Sequence, residues 1–190
     1  YNNDLVNVVN SKLAAYNSPH EIGNHTYDHP HNEPGRTTEE WKTIIEKGIE
    51  TLVSYTRLSR ESITNSGFRA PYLETSDEMY IALNELGVRY DHSSISYRNS
   101  NNEAGWPYTL SNNESENKLN DLWKVPISDL IIPDSPSDLS AYGINPDTKE
   151  TIGFVRVSAG DYDLFEKYKL DDSTILGLLK YNLDLSMQSN

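Results

Sequence analysis

Leu5, Val9, Leu13 and Tyr16 recur at helical spacing, with Val6 and Val8 widening the stripe, and Asn17-Ser18-Pro19 stops the helix they predict. The clearest pattern comes next. Trp41, Ile44, Ile45, Ile49, Leu52 and Val53 share one helical face, and Thr37 with Glu40 writes a capping box in front of them. Together these predict an amphipathic helix of about five turns. Gly67-Phe68-Arg69-Ala70 reads as a short buried strand running into Pro71. Thr75 and Glu78 form a second capping box before Met79, Ala82, Leu83 and Leu86, and Gly87 supplies the stop.

Further along, Val88–Ser94 is expected to be extended, and Tyr97–Asn120 to be a polar loop broken by Gly105-Trp106-Pro107-Tyr108-Thr109-Leu110. Leu122–Ile127, Leu130–Ile132 and Thr151–Val157 are apolar enough for strands, with a loop carrying Pro133, Pro136 and Pro146 between the last two. Tyr162–Tyr168 and the run Ile175, Leu176, Leu179, Leu183 behind Asp172 close the chain as helix. Helices alternating with short apolar strands predict an α/β fold with a mostly parallel sheet. No repeat or linker divides residues 1–190, which therefore read as a single domain.

Composition narrows the function. The chain has 16 Lys and Arg against 29 Asp and Glu, a net charge of −13, which opposes phosphate backbones and argues against nucleic acid as a partner. No apolar run approaches the ~20 residues of a membrane helix. With no cysteine, disulfides, thiolate nucleophiles and Cys-based zinc sites are excluded, leaving His and carboxylates as metal ligands. The chain opens directly into a helical pattern without an initiator Met and closes on polar residues. That is the pattern expected of a piece of a longer protein.

Three of the 5 histidines crowd into His25-Thr26-Tyr27-Asp28-His29-Pro30-His31. His25 and His29 are spaced so that one helical turn would aim both rings at one ion, and Thr26 stands where a zincin needs its glutamate. A solvated His-rich loop is the plain alternative. Arg69 ends an apolar strand, where a buried guanidinium needs a carboxylate, unless it reaches the surface.

His20-Glu21-Ile22-Gly23-Asn24-His25-Thr26-Tyr27-Asp28-His29-Pro30 followed by Gly67-Phe68-Arg69-Ala70-Pro71-Tyr72-Leu73 resembles the polysaccharide deacetylases, the NodB-homology group of carbohydrate esterases. Their second and third motifs, H-[ST]-x-x-H and R-x-P-[FY], both occur here in order. Tyr90-Asp91-His92-Ser93-Ser94, Gly105–Leu110 and Leu122-Trp123-Lys124-Val125-Pro126 are similar to segments of the chitin deacetylase branch. The resemblance implies a deformed (β/α) barrel and a divalent metal cofactor, most commonly zinc, held by His25 and His29. It further implies an N-acetylated glycan partner, chitin or chito-oligosaccharide, whose acetyl group is removed by metal-activated water. In that scheme Arg69 orients the base, the Tyr72 backbone N–H donates to the oxyanion, Pro71 stiffens the turn before it, and Trp123 lines the pocket. Trp106 and Tyr108 would stack on sugar rings or plug one end of the barrel.

The pattern is incomplete. The family's adjacent aspartates, a metal ligand and the catalytic base, should precede His25, but only Asp4 lies there; Asp171-Asp172 reads as a helix N-terminus. No histidine follows His92, so the catalytic acid is missing too. The expectation is a NodB-homology domain lacking its first strand region and its C-terminal end. Two rival readings stand beside it: a catalytically inactive carbohydrate-binding or scaffold domain, and a deacetylase of xylan or peptidoglycan. A secreted or extracytoplasmic location is implied by the family. His20 is expected to pack locally, His31 to be a loop residue and His92 to hydrogen-bond inside the barrel. Asn24-His25-Thr26 and Asn113-Glu114-Ser115 match the glycosylation sequon, the first incompatible with a ligand role.

Overall fold

The computed structural model describes residues 3–13, 21–96, 107–110, 119, 121–160 and 162–188. Tyr16, Asn17-Ser18-Pro19, His20, Trp106 and the sequon at Asn113 lie outside the described residues. The chain forms two compact units, one of Tyr1–Ser94 with Pro107–Val125, the other of Ile95–Trp106 with Pro126–Asn190.

In the first unit α1 (Asn3–Leu13) leads to α2 (Thr38–Tyr55), the helix predicted best. Both halves of its capping box are present: Thr37 Oγ1 accepts from the Glu40 N–H, and the Glu40 carboxylate accepts from the Thr37 N–H at 2.8 Å. Trp41, Ile45 and Ile49 are fully buried against α3 (Arg60–Asn65) and α4 (Asp77–Glu85), with Met79, Ala82 and Leu83 filling the opposing face. The cap of α4 is Ser76, not Thr75. The Ser76 hydroxyl accepts from the Met79 N–H at 3.3 Å, which shifts the helix start by one residue. Gly87, at φ 76°, ends the helix as expected.

The strand expected at Gly67–Ala70 is reduced to a single rung. Phe68 bridges Asn24 on one side and Asp91 on the other, both in parallel. β1 (Tyr90–Asp91) continues in parallel to β4 (Trp123–Lys124), and β3 (Tyr108–Thr109) closes antiparallel on β4. Asn24, Phe68, Asp91 and Lys124 thus stand side by side across one parallel series. The residues that follow the first three rungs are His25, Arg69 and His92.

The second unit is built on β2 (Ile95–Ser96), β5 (Ile127–Ile131) and β6 (Arg156–Ser158), parallel between the first pair and antiparallel between the second. The proline-bearing stretch expected as a loop contains two short helices, α5 (Pro136–Tyr142) and α6 (Thr148–Ile152). Pro136 sits in the first turn of α5, where its missing N–H costs nothing. α6 also takes the front of the strand expected at Thr151–Val157, leaving β6 to begin at Arg156. A π-helical segment, Tyr162–Lys167, precedes α7 (Asp172–Gln188). α7 exists where expected but faces otherwise: Leu176, Leu179 and Leu183 are exposed, while Ile175, Leu178 and Asn182 are buried. Asn182 explains the choice, since its amide both accepts from and donates to the Ile131 backbone of β5 at 2.7 and 2.9 Å. Both units together make a mixed α/β protein. No helix among the described residues is long and apolar enough to cross a membrane.

Candidate functional site

The site begins with Asn24, only 2% exposed. Its backbone accepts from Arg69 N–H and donates to Gly67 O, each at 3.0 Å, fixing the parallel rung. Its side chain donates to Ile45 O of α2 at 2.9 Å and accepts from the Thr26 N–H at 2.9 Å. The α2 backbone can lie this close because residue 48 is glycine: a Cβ there would meet Asn24 Oδ1 at 2.3 Å. Such burial leaves no room for a glycan on Asn24, in line with the sequence reading.

His25 and His29 are not on a helical turn. Thr26 and His29 both take left-handed backbone angles, φ 65° and 52°, and Thr26 Oγ1 accepts from the His29 N–H at 3.1 Å. This tight loop brings the two imidazoles together by another route, with ring centroids 4.8 Å apart and planes at 76°. Both residues are exposed to solvent. His25 Nδ1 lies 2.8 Å from the Arg69 carbonyl oxygen. A carbonyl only accepts, so Nδ1 carries the proton and Nε2 keeps its lone pair for an external ligand.

Beside His29 stands Tyr72, its ring centroid 4.6 Å away and edge-on. Tyr72 and Leu73 are also left-handed, at φ 55° and 60°, in the single turn Pro71–Leu73 that follows buried Pro71. Strained backbone of this kind persists only where neighbours hold it. The His31 ring stacks on Tyr72 at 3.7 Å and 7°, and its Nδ1 contacts the Glu74 carboxylate at 3.2 Å. The Asn32 backbone N–H, and next the His31 side chain, hold the Glu74 carboxyl below its ordinary range. His31 is a loop residue as expected, but one that braces Tyr72.

Behind Arg69 is a buried polar group. Asp91 is 0% exposed, and Ser93 donates to its carboxylate through the hydroxyl and, at 3.2 Å, through the backbone N–H. The Ser93 hydroxyl in turn accepts from the Ala70 N–H at 2.8 Å. Burial pushes the Asp91 carboxyl up to about 6, against the opposing pull of Ser93, Lys124 and Arg69. Asp91 is thus a carboxylate in the field of the Arg69 guanidinium. His92, half-buried, is lowered first by burial and then by Arg69.

The structure thus gathers His25, His29, Tyr72 and the Arg69–Ala70 backbone into one corner. Trp123, 48% exposed, and Tyr108 sit on β4 and β3, placed by the sheet rather than by the histidine loop. Asn24, Asp91 and Ser93 were not singled out as site residues from sequence. The only available signal was their position, each in or next to a motif segment and adjacent to a residue that was.

The residues fit a divalent metal ion as part of a ligand set. Two close imidazoles are accessible, and one has its second nitrogen engaged by a carbonyl, the usual arrangement behind a metal-bound histidine. Among the described residues no third His, Asp or Glu joins them in a group that could hold a metal.

Residues 11–90 match the polysaccharide deacetylase family model, a stretch that includes every residue of this corner. That similarity covers less than half of the chain. Among solved structures, the "putative polysaccharide deacetylase" of Mycobacterium smegmatis is similar to this chain at 22% identity over 66% of its length, with a TM-score of 0.47; the chain spans 36% of that protein. No curated protein is matched by the sequence.

Proposed function

We propose that the chain is the metal-binding part of a deacetylase that hydrolyses N-acetyl groups on N-acetylglucosamine-containing polysaccharide, with chitin or chito-oligosaccharide as substrate. The observation that carries the reading is the single corner formed by the H-x-x-x-H and R-x-P-Y motifs, tied by the His25–Arg69 hydrogen bond. Both motifs leave the carboxyl ends of neighbouring parallel rungs, where α/β proteins place their ligands. The parallel series also supports the deformed (β/α) barrel that the family implies; that residues 1–190 belong to one NodB-homology domain is part of the same proposal.

His25 and His29 would hold the divalent ion, zinc being the choice that imidazole ligands favour. The bound ion supplies a polarised carbonyl and an acidified water. Arg69 would hold the carboxylate base in its ionised form and in place. The Tyr72 N–H would donate to the oxyanion, its backbone fixed by Pro71 on one side and the His31 stack on the other. Trp123 and Tyr108 offer aromatic surfaces for sugar rings, a role also proposed for Trp106. With a polymeric glycan as substrate, the protein would be secreted or extracytoplasmic.

The test is acetate release from chito-oligosaccharides in zinc buffer by a version of the chain extended to supply the base and the acid, with His25→Ala in the same extended chain as control. Release that disappears in the variant supports the reading. Equal, background release from both would overturn it in favour of a glycan-binding domain, and release from acetylxylan alone would change the substrate.

A further inference from the structure

The peptide group between Arg69 and Ala70 is hydrogen-bonded at both ends to side chains from elsewhere in the sequence. Its carbonyl accepts from His25 Nδ1 at 2.8 Å, and its N–H donates to Ser93 Oγ at 2.8 Å. The Ser93 hydroxyl has given its acceptor side to Ala70, so its proton goes to Asp91. The links form one directional line: His25 Nδ1–H to Arg69 C=O, Ala70 N–H to Ser93 Oγ, Ser93 O–H to the Asp91 carboxylate. Each donor in the line is also attached to an acceptor, so polarisation at one end strengthens every bond along it.

We infer that Asp91 is a remote carboxylate partner of His25, acting through Ser93 and the Arg69–Ala70 peptide to fix the imidazole's tautomer and orientation so that Nε2 faces the ion. Metal-bound histidines commonly pass their second N–H straight to a carboxylate or a carbonyl. Here a carbonyl stands in first place and the carboxylate lies two hydrogen bonds behind it. Asp91, Ser93 and Ala70 are all buried, which keeps water from breaking the line. The charged and titratable groups around Asp91 are Lys124, Arg69 and Tyr80, with Lys124 Nζ donating to Tyr80 Oη at 2.6 Å. The two cations favour the ionised carboxylate that the line needs. Asp91 and Ser93 are positioning residues in this scheme. The inference rests on the reading of His25 as a metal ligand.

The experiment measures zinc affinity of the chain by competition with a chelator at a fixed pH of about 8, where imidazole is neutral. It compares the unaltered protein with Asp91→Asn, Ser93→Ala, Ser93→Thr and His25→Ala, each checked for folding by circular dichroism. Without metal, nitrogen NMR of the His25 ring and the Ala70 amide proton shift report the line directly. The expected result is zinc binding about tenfold weaker in Asp91→Asn and Ser93→Ala. Ser93→Thr, which keeps the hydroxyl, restores it, and the His25 and Ala70 signals move with the affinity. If Asp91→Asn fails to fold, the Ser93 pair decides. Wild-type affinity in both loss variants, with binding abolished only in His25→Ala, overturns the relay and leaves the metal site standing. An unaltered protein that binds no more zinc than His25→Ala overturns the metal reading and the relay with it.

Discussion

His25 donates a hydrogen bond from Nδ1–H to the main-chain carbonyl of Arg69 over 2.8 Å, so the two motifs are joined through backbone, not through the arginine side chain. The guanidinium is left to act on carboxylates, and the residue does two separable things. Its peptide carbonyl orients the His25 imidazole, while its side chain sets an electrostatic field felt by Asp91 and His92.

In a chain extended to supply the base, Arg69→Ala should therefore lower acetate release by at least about a hundredfold, the lower range for a mispositioned general base, while zinc affinity at about pH 8 stays nearly unchanged because Lys124 remains beside Asp91. Chelator competition and an acetate assay on the same sample check this. Parallel loss of both would mean that the side chain, and not the carbonyl, holds His25.

Gly48→Ala places a Cβ 2.3 Å from Asn24 Oδ1 and 3.0 Å from its Cγ. The expected cost is about 1–3 kcal/mol, as for other over-packed interiors. Because Asn24 also holds the Thr26 N–H, the histidine loop should loosen with it. Denaturant unfolding together with zinc titration would show both effects, and an unchanged midpoint would mean that Asn24 moves aside freely.

Asp91 makes stability depend on pH with a definite sign. Its carboxyl is raised to about 6 in the folded protein, against about 3.9 in an unfolded chain. Between those values the folded state holds the proton longer, so this group's contribution to stability falls as pH rises from about 4 to about 6 and is flat above. The swing is of order 3 kcal/mol at about 1.36 kcal/mol per unit. Asp91→Asn removes it, so the stability of the variant relative to the unaltered protein should rise by up to that amount between pH 4 and pH 7. Urea unfolding of the two proteins across that range is the measurement; a difference that does not change with pH would contradict the burial argument.

His31→Ala removes the ring stacked at 3.7 Å on Tyr72. An aromatic pair of this kind contributes about 0.5–1.5 kcal/mol, and since the stack holds the Tyr72 N–H that would donate to the oxyanion, the loss should appear mainly as a lowered kcat. His31→Phe keeps the stack and should restore kcat without restoring the Glu74 contact. Steady-state kinetics on the three proteins separates stacking from the hydrogen bond.

What the sequence alone determined was local. Trp41, Ile45 and Ile49 with the Thr37–Glu40 box specify α2, because period and cap are properties of neighbouring residues, and all three apolar side chains are buried as the period demands. The two motifs named the corner's residues for the same reason: residue type and spacing survive in the linear chain. The tertiary structure decided how those residues meet. His25 and His29 converge through left-handed backbone at Thr26 and His29, not through a helix, and that backbone is held by Asn24, whose place depends on Gly48 of a distant helix. Likewise the periodicity of α7 could not say that Asn182 would turn inward and Leu179 outward, since β5 offers a backbone edge that only folding brings alongside. The line from Asp91 to His25 draws on three separate stretches of chain. A hydrogen bond between them costs chain entropy to assemble and is repaid only when burial has removed competing water, so it exists only in the folded protein.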